Sequence, residues 1–76
     1  MPRLPVCSGE EAIKTFVKAG WRVERQKGSH VSLIQEGNPK ILTVPLHKEL
    51  DRGLLRALIR KAGLTVGEYC DLFETR

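Results

Sequence analysis

The feature that most constrains this chain is a change of hydrophobic period, made twice within 76 residues. Ala12, Ile13, Phe16 and Val17 follow the spacing of an amphipathic helix. From Trp21 to Val44 the period falls to two, in short runs divided by turn residues. Helical spacing returns at Leu54, Leu55, Leu58, Ile59 and Ala62. Each of these helices has a single apolar stripe, and an antiparallel sheet needs only one covered face. Both helices are therefore expected on the same side of the sheet, with the other side open to solvent.

Local signals set the boundaries. Ser8-Gly9-Glu10-Glu11 reads as a capping box that opens the first helix, and Gly20 closes it in a left-handed position. Trp21 to Gln26 alternates, with Trp21 and Val23 inward and Arg22, Glu24 and Gln26 outward. Lys27-Gly28-Ser29 is a hairpin turn. In the strand His30–Gln35, Val31 and Leu33 share one face, and His30, Ser32 and Ile34 share the other. Glu36-Gly37-Asn38-Pro39 is a second turn, and Ile41 to Val44 is a third strand closed by Pro45. A connector, Leu46-His47-Lys48-Glu49-Leu50, follows, with a first helical turn as one reading, and the second helix starts at Asp51 or Gly53 and stops at Gly63. Thr65-Val66-Gly67-Glu68 is another capping box, ahead of a short helix carrying Tyr69, Leu72 and Phe73. The expected fold is α+β, a single domain over residues 1–76: a three-stranded antiparallel sheet with the helices on one face and a short extra C-terminal helix. Its α-β-β-β-α order is that of the double-stranded-RNA-binding domain. The open face would carry Arg22, Glu24, Gln26, His30, Ser32 and Thr43.

Composition narrows the function. A domain this small buries only roughly 60% of its unfolded surface, so it has no depth for a cofactor cleft and none is expected. The net charge is +4, and its excess is uneven. Residues 21–48 hold five basic side chains against two acidic, and residues 49–76 balance five against five. A basic sheet suits a polyanion, nucleic acid first; a merely solvated surface is the plainer alternative. No apolar run is long enough to span a bilayer, and the N-terminal residues lack the apolar core of a signal peptide. A cytoplasmic location without membrane contact is expected. Cys7 and Cys70 form no CxxC pair and have no histidine at ligand spacing, so no metal site is expected. Two free thiols are expected, with Cys70 buried.

Two histidines can carry chemistry. His30 opens the second strand, on the polar face, next to the basic turn Lys27-Gly28-Ser29. Histidine is the side chain whose ordinary titration lies nearest neutral pH. The turn could hold a phosphate through Lys27 and the backbone N–H groups of Gly28 and Ser29. RNA brings its own nucleophile, the 2′-hydroxyl, so one proton-transfer group plus cationic stabilisation suffices for cleavage. The alternative is a polar residue at a strand end. His47, after Val44-Pro45-Leu46, could be a second proton-transfer group, a phosphate contact or, the plainest reading, a cap for the next helix. Trp21 is expected in the core, and Arg52, Arg56 and Arg60 on a solvated helix face or a docking surface for an acidic partner.

Taken in order, Gly20-Trp21-Arg22-Val23, Arg25-Gln26-Lys27-Gly28-Ser29-His30, Val44-Pro45-Leu46-His47 and the leucine-rich helix ending Lys61-Ala62-Gly63-Leu64 resemble the HicA (YcfA-like) toxin family. The resemblance runs from about Ser8 to Phe73. It implies a double-stranded-RNA-binding-domain-like fold and a translation-independent mRNA interferase, blocked by a HicB antitoxin bound over its active site. It implies that His30 is catalytic and that Lys27, Gly28 and Ser29 flank the substrate; His47 matches the V-P-x-H position, with its role open. The helix beginning Asp51-Arg52-Gly53-Leu54 departs from the family, where threonine often follows the glycine.

Two functions follow. In the first, the chain is a metal-independent endoribonuclease toxin. His30 acts as base or acid, Lys27 with Arg25 or Lys40 stabilises the phosphorane, and mRNA and a HicB-type antitoxin are its partners. In the second, it is a non-catalytic RNA-binding or adaptor module whose basic face holds phosphates only. His30 separates them, because a face that only binds phosphate needs lysine and arginine rather than a lone histidine.

Overall fold

The structure, a computed structural model, describes residues 3–75. The expected domain limits, Met1 and Arg76, lie outside the described residues. The elements run α1 (Gly9–Lys18), β1 (Arg22–Lys27), β2 (His30–Gln35), β3 (Asn38–Pro45), α2 (Arg52–Lys61) and α3 (Val66–Glu74). The strands form one antiparallel sheet in the order β1-β2-β3, with β2 central. This is the α-β-β-β-α arrangement expected, with the extra C-terminal helix.

Both capping boxes form. The Ser8 hydroxyl accepts from Glu11 N–H at 3.1 Å while Glu11 Oε1 accepts from Ser8 N–H at 2.9 Å. Thr65 and Glu68 make the same reciprocal pair at the start of α3, at 3.0 and 2.8 Å. Each box satisfies donors that a helix start leaves orphaned. Gly20, with φ at 100°, and Gly63, with φ at 79°, end α1 and α2 in the left-handed region that L side chains avoid.

The core lies between the helices and one face of the sheet. Val31 and Leu33 of β2 and Leu42 and Val44 of β3 meet Phe16 of α1, Trp21, and Leu55 and Ile59 of α2. Removing each such side chain from water contributes roughly 1.5–3 kcal/mol. Tyr69 of α3 packs on Phe16 with ring centroids 5.3 Å apart and lies 3.6 Å from the Cys7 sulfur. The Lys18 ammonium donates to the carbonyls of Leu72 and Thr75, closing the C-terminal end of α3 against α1.

Several expectations are corrected. Cys7 is buried and Cys70 only partly so, the reverse of the expected emphasis; both thiols are free. The N-terminal segment explains it: Leu4 and Cys7 tuck under α3, and the Cys70 thiol reaches out to the Arg3 carbonyl at 3.2 Å. β3 begins at Asn38 rather than Ile41, because Glu36 and Gly37 alone turn the chain, with Gly37 at φ 77°. Pro39 is tolerated there because β3 is an edge strand that can lack a ladder donor. Val23 does not enter the core. It is 49% exposed, at the rim of the helix cover on edge strand β1. No helical turn forms in the connector 46–50. The cap of α2 is Asp51, whose Oδ2 accepts from Leu54 N–H at 3.1 Å, so His47 is not that cap.

Candidate nucleic-acid interface and active site

The open face of the sheet depends on one irregularity. Regular alternation would put Arg22, Glu24 and Gln26 on it together. The β1–β2 register instead runs Val23 opposite Leu33 and then Arg25 opposite Ser32, leaving Glu24 as an extra, unpaired residue. Such a bulge shifts strand parity by one from that point on. Arg25 and Lys27 therefore move to the side of Ser32 and His30, and Gln26 falls opposite Val31 on the other side. Nothing in the polar run Glu24-Arg25-Gln26-Lys27 signals this, because parity is legible only when an apolar residue marks the inner face.

The register builds two rows across this face. One is Arg25, Ser32 and Thr43; the other is Lys27, His30 and Pro45. Residues directly opposite on neighbouring strands have Cβ atoms about 4.5–5.5 Å apart. His30 thus has Lys27 beside it and a cation-plus-hydroxyl row one step along the strand. His30, Arg25 and Lys27 are all exposed. Arg22, opposite Ile34, extends the cationic side toward the far end of β1. Parity through His30 assigns Ser32 and Thr43 to the face, but only the bulge joins them to a cation and so to the site.

The turn beside His30 is a tight two-residue loop, Gly28-Ser29, between the paired Lys27 and His30. Gly28 has φ at 60° while Ser29 takes no positive φ, the signature of a type II′ hairpin that needs glycine first. Gln26 Nε2 donates to the Gly28 carbonyl at 2.9 Å and steadies the loop. The Ser29 carbonyl accepts from Leu46 N–H at 2.7 Å, so the β2–β3 ladder continues past Pro45. That bond brings the segment Pro45-Leu46-His47 to the same end of the sheet as His30. The His47 carbonyl in turn accepts from Gly9 N–H at 2.9 Å, anchoring the segment on the start of α1. The contact is so close that a Cβ on Gly9 would lie 2.0 Å from the Pro45 oxygen. The exposed His47 ring and Lys48 border a shallow depression of about 220 Å³ with Ser8, Glu10 and Leu46.

The structure thus gathers Arg25, Lys27, Gly28, Ser29 and His30 at one end of the sheet, with His47 on the adjoining segment. It does not gather Lys40. That residue is five positions before Pro45 on β3, about 16 Å along the strand. Its N–H bonds Asn38 Oδ1 at 3.0 Å near the opposite hairpin. Among the described residues no three His, Cys, Asp or Glu side chains cluster as metal ligands, and no helix is long and apolar enough to cross a membrane. A groove of about 540 Å³ lies away from these groups, between α2 and α3; Arg56, Ile59, Arg60, Leu64 and Val66 line it. It contains no group able to exchange a proton near neutral pH.

The family model described as the HicA toxin of bacterial toxin-antitoxin matches residues 9–64. Among solved structures, the chain is similar to one from a toxin–antitoxin complex of Streptococcus pneumoniae. The two share 33% identity with a TM-score of 0.66, over 75% of this chain and 97% of that one. It is also similar to a chain of the HicA3 and HicB3 toxin–antitoxin complex, at 36% identity and a TM-score of 0.64, over 76% of this chain and 96% of that one. No curated protein matches. The family match begins after the buried segment carrying Leu4 and Cys7 and ends before α3, so the Cys7–Tyr69 contact is outside it.

Proposed function

The chain belongs to the HicA family of bacterial toxins of toxin–antitoxin systems, and from that premise we propose that it is an endoribonuclease that cuts mRNA with His30 and needs no metal. The observation that carries this reading is the row Lys27–His30, flanked by Arg25, on the uncovered face. It sets a proton-transfer group beside two cations, where a phosphodiester can lie flat.

The chemistry needs little else. His30 takes the proton from a ribose 2′-hydroxyl, and the 2′-oxygen attacks the adjacent phosphorus. The new O–P bond forms as the bond from phosphorus to the 5′-oxygen breaks, leaving a 2′,3′-cyclic phosphate. The departing 5′-oxygen takes a proton from water or from the His47 imidazole. Lys27 and Arg25 stabilise the added negative charge of the phosphorane, and the open-loop N–H groups of Gly28 and Ser29 orient the phosphate. Because the nucleophile belongs to the substrate, no metal-bound hydroxide is required. A HicB-type antitoxin, the kind of partner present in the HicA3 and HicB3 complex, would silence the enzyme by covering this face.

The test is purified protein with a long single-stranded RNA in EDTA, beside His30→Ala shown to be folded by circular dichroism. Cleavage by the wild type alone supports the reading. Equal RNA binding by both proteins without cleavage by either replaces it with the non-catalytic RNA-binding module. Equal cleavage by both removes His30 from the mechanism.

A further inference from the structure

The ribonuclease reading leaves open what part of an RNA the open face grips. The chain has four aromatic residues, Phe16, Trp21, Tyr69 and Phe73. Phe16, Trp21 and Tyr69 are buried in the core, and Phe73 packs against that core, stacked on Tyr69 with centroids 6.1 Å apart. None is on the open face, where the one ring is the His30 imidazole, committed in the ribonuclease reading to the 2′-hydroxyl. Proteins that seize unpaired bases do so chiefly by stacking them on aromatic rings. This face offers instead the cations Arg22, Arg25 and Lys27 and the hydroxyls of Ser32 and Thr43. Those groups match phosphate oxygens and ribose hydroxyls, which every nucleotide presents alike.

We infer that the sheet holds single-stranded RNA by its sugar–phosphate backbone, with the bases turned away, so that binding tolerates any base sequence. This rests on the proposal that the face is the ribonuclease site. The cationic side follows the backbone along β1, and the hydroxyl row Ser32–Thr43 lies beside it across the sheet. Ser32 and Thr43 are the ribose contacts: each can accept from, or donate to, a 2′-hydroxyl. Selection of RNA over DNA then comes from these hydroxyls as well as from the need for the nucleophile.

The experiment uses folded His30→Ala, which binds without cutting, and fluorescence anisotropy with three labelled strands. One is a short single-stranded RNA. The second has the same backbone, with its central nucleotides replaced by abasic ribose. The third is the 2′-deoxy version. The abasic strand is expected to bind within about threefold of the intact RNA, and the deoxy strand more weakly than either. One stacked base is worth roughly fivefold or more, so a larger loss on the abasic strand overturns the inference. Arg25→Ala adds a control for guanidinium stacking. It should weaken both ribose strands by the same factor, and a penalty seen only with bases present also overturns the inference. Failure to bind either ribose strand overturns it outright. Cleavage by the wild type, measured in parallel, reports on the ribonuclease reading alone, so the two can fail separately.

Discussion

The two faces of β2 are built from adjacent residues to opposite ends. Val31 and Leu33 are 4% and 0% exposed, sealed under α1 and α2, whereas His30 between the hairpin and Val31 is exposed and Ser32 only half-buried. The covered face has many mutual contacts, so a change there is felt by the whole fold. On the open face His30, Arg25 and Lys27 are exposed, so these side chains are free to meet a ligand and contribute little to folding. The difference teaches that stability and function in this chain are carried on opposite sides of one strand and should be separable by substitution.

The largest effect expected is on the open side. His30→Ala should lower cleavage by about 10²–10⁴-fold, the usual worth of a proton-transfer group. Its stability should stay within about 0.5 kcal/mol, as for other exposed substitutions. Leu33→Ala, three residues away on the covered side, should do the reverse: a loss of about 2–5 kcal/mol in urea unfolding, with cleavage per folded molecule retained. A His30→Ala protein that melts as early as Leu33→Ala would break the comparison.

How far the sequence disclosed this division depended on apolar markers. On β2, Val31 and Leu33 fix parity, so the exposure of His30 and Ser32 is legible. At β1 the inner face is marked only by Trp21, just before the strand, and Val23, and the bulge at Glu24 comes after both. The placement of Arg25 and Lys27 beside Ser32 and His30 was therefore hidden, although both residues were legible as cations near the motif. Capping boxes and glycine stops were legible because they are local hydrogen-bond patterns. The roles of Cys7, Cys70 and His47 were not, because each depends on a distant segment: Tyr69, the Arg3 carbonyl and Gly9 N–H respectively.

Gly9→Ala tests where the two sides are joined. Its Cβ would press on the Pro45 oxygen, at the segment that brings His47 to the His30 end of the sheet. Overpacking of this kind costs about 1–3 kcal/mol, and here cleavage should fall together with stability. Unchanged melting and cleavage would show that the start of α1 does not hold that segment. A smaller effect separates the bulged register from a regular one. Arg25→Ala and Lys27→Ala should each weaken RNA binding roughly threefold to tenfold at low salt and flatten its salt dependence. Glu24→Ala should not weaken it. The opposite pattern would mean that β1 is regular in solution and that the site has been assembled on the wrong parity.

The smallest effect concerns pH, and it isolates the covered side. Burial pushes the Cys7 thiol above its ordinary value of 9.0, partly offset by the Tyr69 hydroxyl and reinforced by the Glu11 carboxylate. Burial likewise raises the Tyr69 phenol, with the Cys7 contact adding to it. Both groups hold their protons more tightly folded than unfolded. Their contribution to stability is therefore complete below pH 9.0 and declines as pH rises through the thiol range and then the phenol range. The loss should stay within about 2 kcal/mol up to pH 10, since the thiol proton is worth at most about 1.4 kcal/mol per pH unit and the phenol has only begun to titrate there. Thermal melts from pH 7 to 10 would show it as a gradual fall in Tm. Cys7→Ala lowers stability at every pH, because it leaves a cavity beside Tyr69, but it should also flatten the slope above pH 9.0. The offset reports packing and the slope reports the buried proton, so an unchanged slope would mean that water reaches the thiol and the covered side is less closed than its packing implies.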